Sequence, residues 1–263
     1  MSYEVSKDYH QYQTDEVGRS VAVYINEATA ELRFQALGQS IRNFKTGCWS
    51  TIPNMDQLHV LWPNRYVITS KMPKKFKEDF PNTIITLDGT EIKIDRPSSL
   101  RSQTQCYSDY KSATTLKALV GVDPRGSFTF ISMLFSGSIS DKEITSRSGL
   151  LLLLEQLINC GKIKRGDAVM VDKGFLIRDE IENLGLKLLI PPFASIACQM
   201  SAADVAFTRK IARHRVHVER AISRVKKFKI VGKGVGLSLF PCINQIWYSC
   251  CFLTNFMPYL IKD

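Results

Sequence analysis

One stretch constrains this chain more than any other: Ile84 to Ile94, which reads IITLDGTEIKI. Apolar and β-branched residues lead into Asp88, a Gly-Thr step follows, and Glu91-Ile92-Lys93-Ile94 resumes a period-2 alternation. That pattern specifies a largely buried strand with an acid in its middle. A carboxylate in such a place costs several kcal/mol unless it is paired, hydrogen-bonded or bound to a cation. A satisfied structural Asp and a cation ligand both meet that condition, so the rest of the chain has to choose between them.

The net charge of +10 and a pI near 9.3 call for a polyanionic partner, most simply nucleic acid. Seven Cys without metal-finger spacing and a polar stretch from Met1 to Glu16 lead to the expectation of a reducing, intracellular setting. The apolar stretch Ile246 to Ile261 is broken by Ser249, Thr254, Asn255 and Pro258, too soon to span a bilayer, so no membrane association is expected. A length of 263 residues allows one large α/β domain and a small appendage. The expected division is a helical N-terminal region over residues 1–80 and an α/β domain over 81–263.

Along the chain, Val21 to Phe44 is helix-compatible and could be the remains of a helix-turn-helix. Met72 to Phe80 reads as a short basic helix ended by Pro81-Asn82. Asp95 to Lys111 reads as a polar loop. Lys117 to Val122 and Ser127 to Phe135 read as strands joined by the turn Asp123-Pro124-Arg125-Gly126. Gly137 to Lys142 is expected as a loop and Gly149 to Cys160 as an apolar helix. Ala168 to Asp172 is a buried strand ending in an acid, Ile177 to Leu184 a short helix, and Leu186 to Ile190 a strand stopped by Pro191-Pro192. Ser201 to Lys229 is the longest helical pattern, opened by a Ser201/Asp204 capping pair and striped by Val205, Ile211, Val218, Ile222, Val225 and Phe228. From Arg209 to Lys229 it carries nine basic residues and one acid, Glu219.

This order predicts a mixed sheet in which an antiparallel meander joins parallel crossovers. With the Asp88 and Asp172 strands adjacent and the long helix across them, three carboxylates converge. Converging carboxylates repel and are stable together when divalent cations neutralise them; oxygen ligands favour Mg²⁺ or Mn²⁺. His214 and His217, at i and i+3, have no evident Cys or His to complete a zinc site and are read as surface or DNA-facing. The glycines of Gly232-Lys-Gly-Val-Gly236 lack the context of a phosphate loop and read as a flexible connection.

Six segments occur together in order: Asp88-Gly-Thr-Glu91, Tyr107-Ser-Asp-Tyr-Lys111, Gly137-Ser-Ile-Ser-Asp-Lys142, Val171-Asp-Lys-Gly-Phe175, Ile190-Pro-Pro-Phe193 and Arg215-Val-His-Val-Glu-Arg220. In them the chain resembles the DDE-type transposases and transposase-derived nucleases of the PIF/Harbinger group, over about Leu61 to Phe256. The resemblance implies an RNase H-like α/β fold, a mixed five-stranded sheet flanked by helices with a small helical N-terminal region. It implies a metal-dependent endonuclease or transposase cleaving phosphodiester bonds, with Asp88, Asp172 and Glu219 as triad and as ligands of Mg²⁺ or Mn²⁺. The alternatives are a catalytically retired, domesticated DNA-binding or interaction protein that keeps the fold, and an RNase H-like nuclease acting on RNA.

Asp141 is a rival for the second acid. The RNase H-like order places that acid after the fourth strand, which selects Asp172 and leaves Asp141 to cap a helix or support the site from behind. Glu91 lies an odd number of residues from Asp88 and should face the other way. Phosphate contacts are expected from Arg101, Lys111, Arg213, Arg220, Arg224 and Lys227. The resemblance also implies DNA as partner, a separate Myb-like DNA-binding protein as a second partner, and nuclear residence after synthesis in the cytoplasm.

Overall fold

The Asp88 stretch lies at the centre of the sheet. The computed structural model describes residues 62–192, 200–258 and 260; the Val21 to Phe44 pattern and any helix-turn-helix there lie outside the described residues. In chain order come α1 (Arg65–Ser70), α2 (Lys74–Asp79), β1 (Thr83–Lys93), α3 (Leu100–Cys106), β2 (Tyr107–Ser108), β3 (Ala113–Val122), β4 (Phe128–Ile131) and β5 (Phe135–Ser136). Then follow α4 (Asp141–Arg147), α5 (Leu150–Asn159), β6 (Ala168–Met170), α6 (Arg178–Asn183) and β7 (Lys187–Leu189). The last are α7 (Ala202–Val225), α8 (Lys229–Gly232), a 3₁₀ turn (Leu237–Cys242) and α9 (Ile243–Thr254).

β1 pairs antiparallel with β3 on one side and parallel with β6 on the other, and β7 extends the parallel edge. The far side of β3 is lined successively by β2, β5 and β4, all antiparallel. This is a mixed, RNase H-like α/β sheet flanked by helices. The β3–β4 turn closes as its residues dictate: Gly126 N–H donates to Asp123 O at 2.8 Å, and Gly126 has φ +88°. Asp123 Oδ1 accepts from the Arg125 and Ser127 amides.

Both faces of β1 are covered, which is why its first half is nearly all apolar. Ile85 and Leu87 join Leu119, Phe130, Ile144, Leu153 and Val169 in one core cluster. Ile92 and Ile94 join Ala118, Val120, Val218, Ile222, Val225 and Trp247 in the other, beneath α7 and α9. Trp62, Ile68, Met72, Phe76 and Phe80 belong to the first cluster, so α1 and α2 pack as part of the sheet's own core. Two polar ties hold them there. Arg65 Nε donates to buried Asp167 at 2.9 Å, and Asp79 meets His214 of α7 at 3.0 Å.

Several local readings change. The polar loop 95–111 contains α3, which buries no residue and so carries no apolar period. The loop at Asp141 is the start of α4. Its N-cap is Ser140, whose Oγ accepts from Glu143 N–H at 3.1 Å, so Asp141 is a first-turn residue and not the cap. The run Ser127 to Phe135 splits because Ser132 Oγ replaces a backbone carbonyl in accepting from Leu119 N–H, while Leu134 N–H turns to Asn244. The long helix stops at Val225. The chain turns at Lys226 to Phe228 and packs Gly232 closely over the Lys226 carbonyl, leaving no room for a side chain there. The glycine-rich connection after α8 is docked on β1. Val235 is 1% exposed, donates its N–H to Lys93 O, and accepts from Asp95 N–H.

Candidate active site

Asp88 lies in uninterrupted register with Val120 of β3, so strict alternation puts it on the α7 face with Ile92. Asp172 follows β6 by two residues, where the chain leaves the sheet; its carbonyl accepts from Phe175 N–H and its Oδ1 from Lys173 N–H. Because β6 runs parallel beside β1, Asp172 emerges next to Asp88. Across both lies α7, whose buried stripe is Ile211, His214, Arg215, Val218, Ala221, Ile222 and Val225. Arg215 therefore points into the sheet. One guanidinium nitrogen is 3.4 Å from Asp88 Oδ1 and the other 3.0 Å from Asp172 Oδ1. Glu219, exposed, stands one helical turn beyond Arg215.

The electrostatics are those of crowded acids. Burial pushes Asp88 up to about 6; Arg215 pulls it down, and the charges of Asp172 and Glu219 raise it further. Lys226, half-buried, is lowered by burial and by Lys111 and raised by Glu91 and Asp88, which places a second cation at the rim. Thr90 Oγ1, two residues along the same strand face, and Arg215 Nε are buried without a hydrogen-bond partner among the described residues. No three His, Cys, Asp or Glu side chains among the described residues stand together as they would around a metal ion. The donor set nevertheless fits a hard divalent cation. It is all oxygen, two of its carboxylates already share one cationic group, and the buried one is destabilised as an anion.

The opposite face of β1 carries a different arrangement. At Gly89 a Cβ would meet Asp141 Oδ1 at 3.0 Å, and at Gly174 one would meet Asp141 Oδ2 at 3.0 Å. The Asp141 carboxylate is thus lodged between the residue after Asp88 and the loop after Asp172, paired with Lys117 at 2.9 Å. Glu91 shares this face in register with Lys117 and accepts from Thr115 Oγ1 at 2.7 Å.

Of the basic residues expected on DNA, Arg101, Lys111, Arg213, Arg220 and Lys227 are exposed. Arg213 and Arg220, seven residues apart, lie on one stripe of α7 turned away from the core, and Lys227 is exposed in the turn just after the helix. Lys111 lies over the Tyr110 ring at 4.3 Å, at the tip of the β2–β3 connection. Arg224 differs: it is half-buried and donates to the Pro258 carbonyl. His214 is not at the surface. It is 2% exposed, against Asp79 and the Phe76 ring at 4.2 Å, because α2 covers it. Arg215 was the residue missed. The apolar stripe Ile211, Val218, Ile222, Val225 leaves a gap at 214 and 215, and whatever fills such a gap must be buried and partnered.

No curated protein and no solved structure gives a significant match to the chain. The model of the DDE superfamily endonuclease family matches residues 87–255, well over half the chain, from the residue before Asp88 to the end of α9. An RNase H-like sheet with acids gathered under its long helix, and a match that runs from within β1 through Asp88, Asp172 and Glu219, make this chain a member of the DDE superfamily endonucleases.

Proposed function

We propose that the protein is a transposase-type DNA endonuclease of the PIF/Harbinger kind, with Asp88, Asp172 and Glu219 as its triad. The observation that carries this reading is the meeting of Asp88 and Asp172 on one cation, with Glu219 a helical turn away. Asp88, Asp172 and Glu219 would hold Mg²⁺ or Mn²⁺. Bound there, a divalent ion supplies Lewis-acid stabilisation of charge on the phosphodiester oxygens. Asp88, fixed in a central strand, sets the position of the site. Asp172 joins it from the end of the neighbouring strand, and Glu219 closes the set from the helix. Arg101, Lys111, Arg213, Arg220 and Lys227 hold DNA through its phosphates without reading bases. The chain would act in the nucleus, and a separate Myb-like protein would supply sequence recognition.

The test is nicking of supercoiled plasmid by purified protein with Mg²⁺ or Mn²⁺, against chelator. Wild type should nick, and Glu219→Gln should lose activity by orders of magnitude while keeping its melting temperature. A folded wild type that never nicks would make the chain a binding protein on a nuclease fold.

A further inference from the structure

We infer that Arg215 is the built-in counter-ion of this site: its guanidinium holds Asp88 and Asp172 together in the metal-free protein, and a divalent cation must displace it from at least one of them. The inference rests on the reading of those acids as metal-binding. Three observations carry it. The guanidinium reaches Oδ1 of both acids, at 3.4 and 3.0 Å, so it competes for oxygens an incoming cation would need. Arg215 is 9% exposed and the Asp88 side chain is only 19% exposed, so each charge depends largely on the other as its partner. Arg215 Nε has no hydrogen-bond partner, so two contacts to acids and no third anchor fix the group. A planar fork suits this double contact, whereas an ammonium meets the two oxygens only as a point charge.

The same arrangement accounts for the lack of a three-carboxylate cluster among the described residues. With a cationic group between Asp88 and Asp172, Glu219 has no need to close in, and it stays exposed. Displacing the guanidinium frees both Oδ1 atoms, and the next acid along the same helix face can then approach. Arg215 and Glu219 are four residues apart, so they occupy neighbouring positions on that face. Arg215 is a positioning residue in this account, acting on the acids and not on the phosphodiester.

The experiment has two readouts besides cleavage. Melting in chelator compares wild type, Arg215→Gln, Arg215→Lys, Asp88→Asn and the Asp88→Asn/Arg215→Gln double variant. Arg215→Gln should melt several degrees below wild type, and most of that loss should vanish when Asp88 is already Asn, because no buried anion is then left unpaired. Calorimetric titration with MnCl₂ should show Arg215→Gln binding tenfold or more tighter than wild type, and Arg215→Lys between the two. Asp172→Asn should bind more weakly than any of them. Should Arg215→Gln fold poorly, Arg215→Lys carries the comparison. Mn²⁺ affinity unchanged or weakened in both Arg215 variants overturns the displacement, as does a melting loss independent of Asp88. Absence of Mn²⁺ binding in wild type and every variant instead overturns the metal reading itself, and the displacement with it.

Discussion

Asp172 and Asp141 sit on opposite sides of the same sheet region and make opposite demands. Asp172 is half-exposed, with its ion pair to Arg215 open to solvent on its own side, so that pair adds little stability. Asp172→Asn should therefore melt within about 1 kcal/mol of wild type while Mg²⁺-dependent nicking falls by orders of magnitude. Asp141 fills space that Gly89 and Gly174 leave for it and neutralises the mostly buried Lys117. Asp141→Ala removes both services, so it should cost about 1–2 kcal/mol and reduce nicking only partly. Plasmid nicking beside thermal melting separates them. Asp141→Ala abolishing cleavage in a stable protein, with Asp172→Asn near normal, would falsify the triad at its second member. Asp172 could be picked out of the sequence because an acid that ends a buried strand stands out against apolar neighbours; Asp141, among polar neighbours, came forward only through the family resemblance. The lodging of Asp141 could not be read there, since it depends on a close approach across the sheet that only the backbone path reveals.

At the scale of elements, long patterns were legible and short ones were not. β1, β3 and α7 announce themselves by sustained periods, because each buries most of one face or both. α3 and α4 do not, since one buries nothing and the other only Ile144 and Thr145. His214 and Arg215 were misjudged for a related reason: a polar residue in a buried stripe reads as a break unless its partner from another element is known. The partner of His214 is Asp79, and that contact gives the α2–α7 junction a test. Hydrogen bonds from His214, then Lys210, hold the Asp79 carboxyl below its ordinary value near 3.8. A carboxyl lowered on folding contributes stability above that value, and the contribution is lost as pH falls below it through the folded pKa. Asp79→Asn should thus cost about 1–2 kcal/mol near neutrality, and the gap between the two proteins should begin to close only as pH falls below about 4. Urea unfolding across pH reads this directly, and a constant gap down to pH 3 would sink it. The β1–β3 pair offers another. At Gly121 a Cβ would come within 2.2 Å of Ile85 Cδ1. Gly121→Ala should cost about 1–3 kcal/mol, with part of it recovered by Ile85→Val, which removes that methyl.

For the whole molecule, the sequence's net charge of +10 has to be reconciled with where the charges stand. Some are consumed internally: Arg65 by Asp167, Arg215 by Asp88 and Asp172, Lys117 by Asp141, Arg224 by the Pro258 carbonyl. Composition could not show this division, because a paired and an unpaired arginine count alike. Arg213 and Arg220 lie on one exposed stripe of the helix that also bears Glu219, and Lys227 is exposed in the turn just beyond it, so a duplex phosphate strand laid along this side of α7 would meet them in turn. Each phosphate neutralised by such a cation releases counter-ion, and the slope of log K against log salt grows by about 0.9 per contact. Replacing all three by Gln should therefore make that slope shallower by about 2–3, weakening binding by a similar factor on any sequence. Arg224→Gln serves as the internal comparison. Although it lies on the same helix, its guanidinium is turned to the C-terminal segment, so the salt slope should stay as in wild type. Fluorescence anisotropy of a labelled duplex in chelator, over a salt series, gives both numbers without cleavage. A triple variant with an unchanged slope, or an Arg224 variant that loses as much as the triple, would move the DNA path off this face of α7.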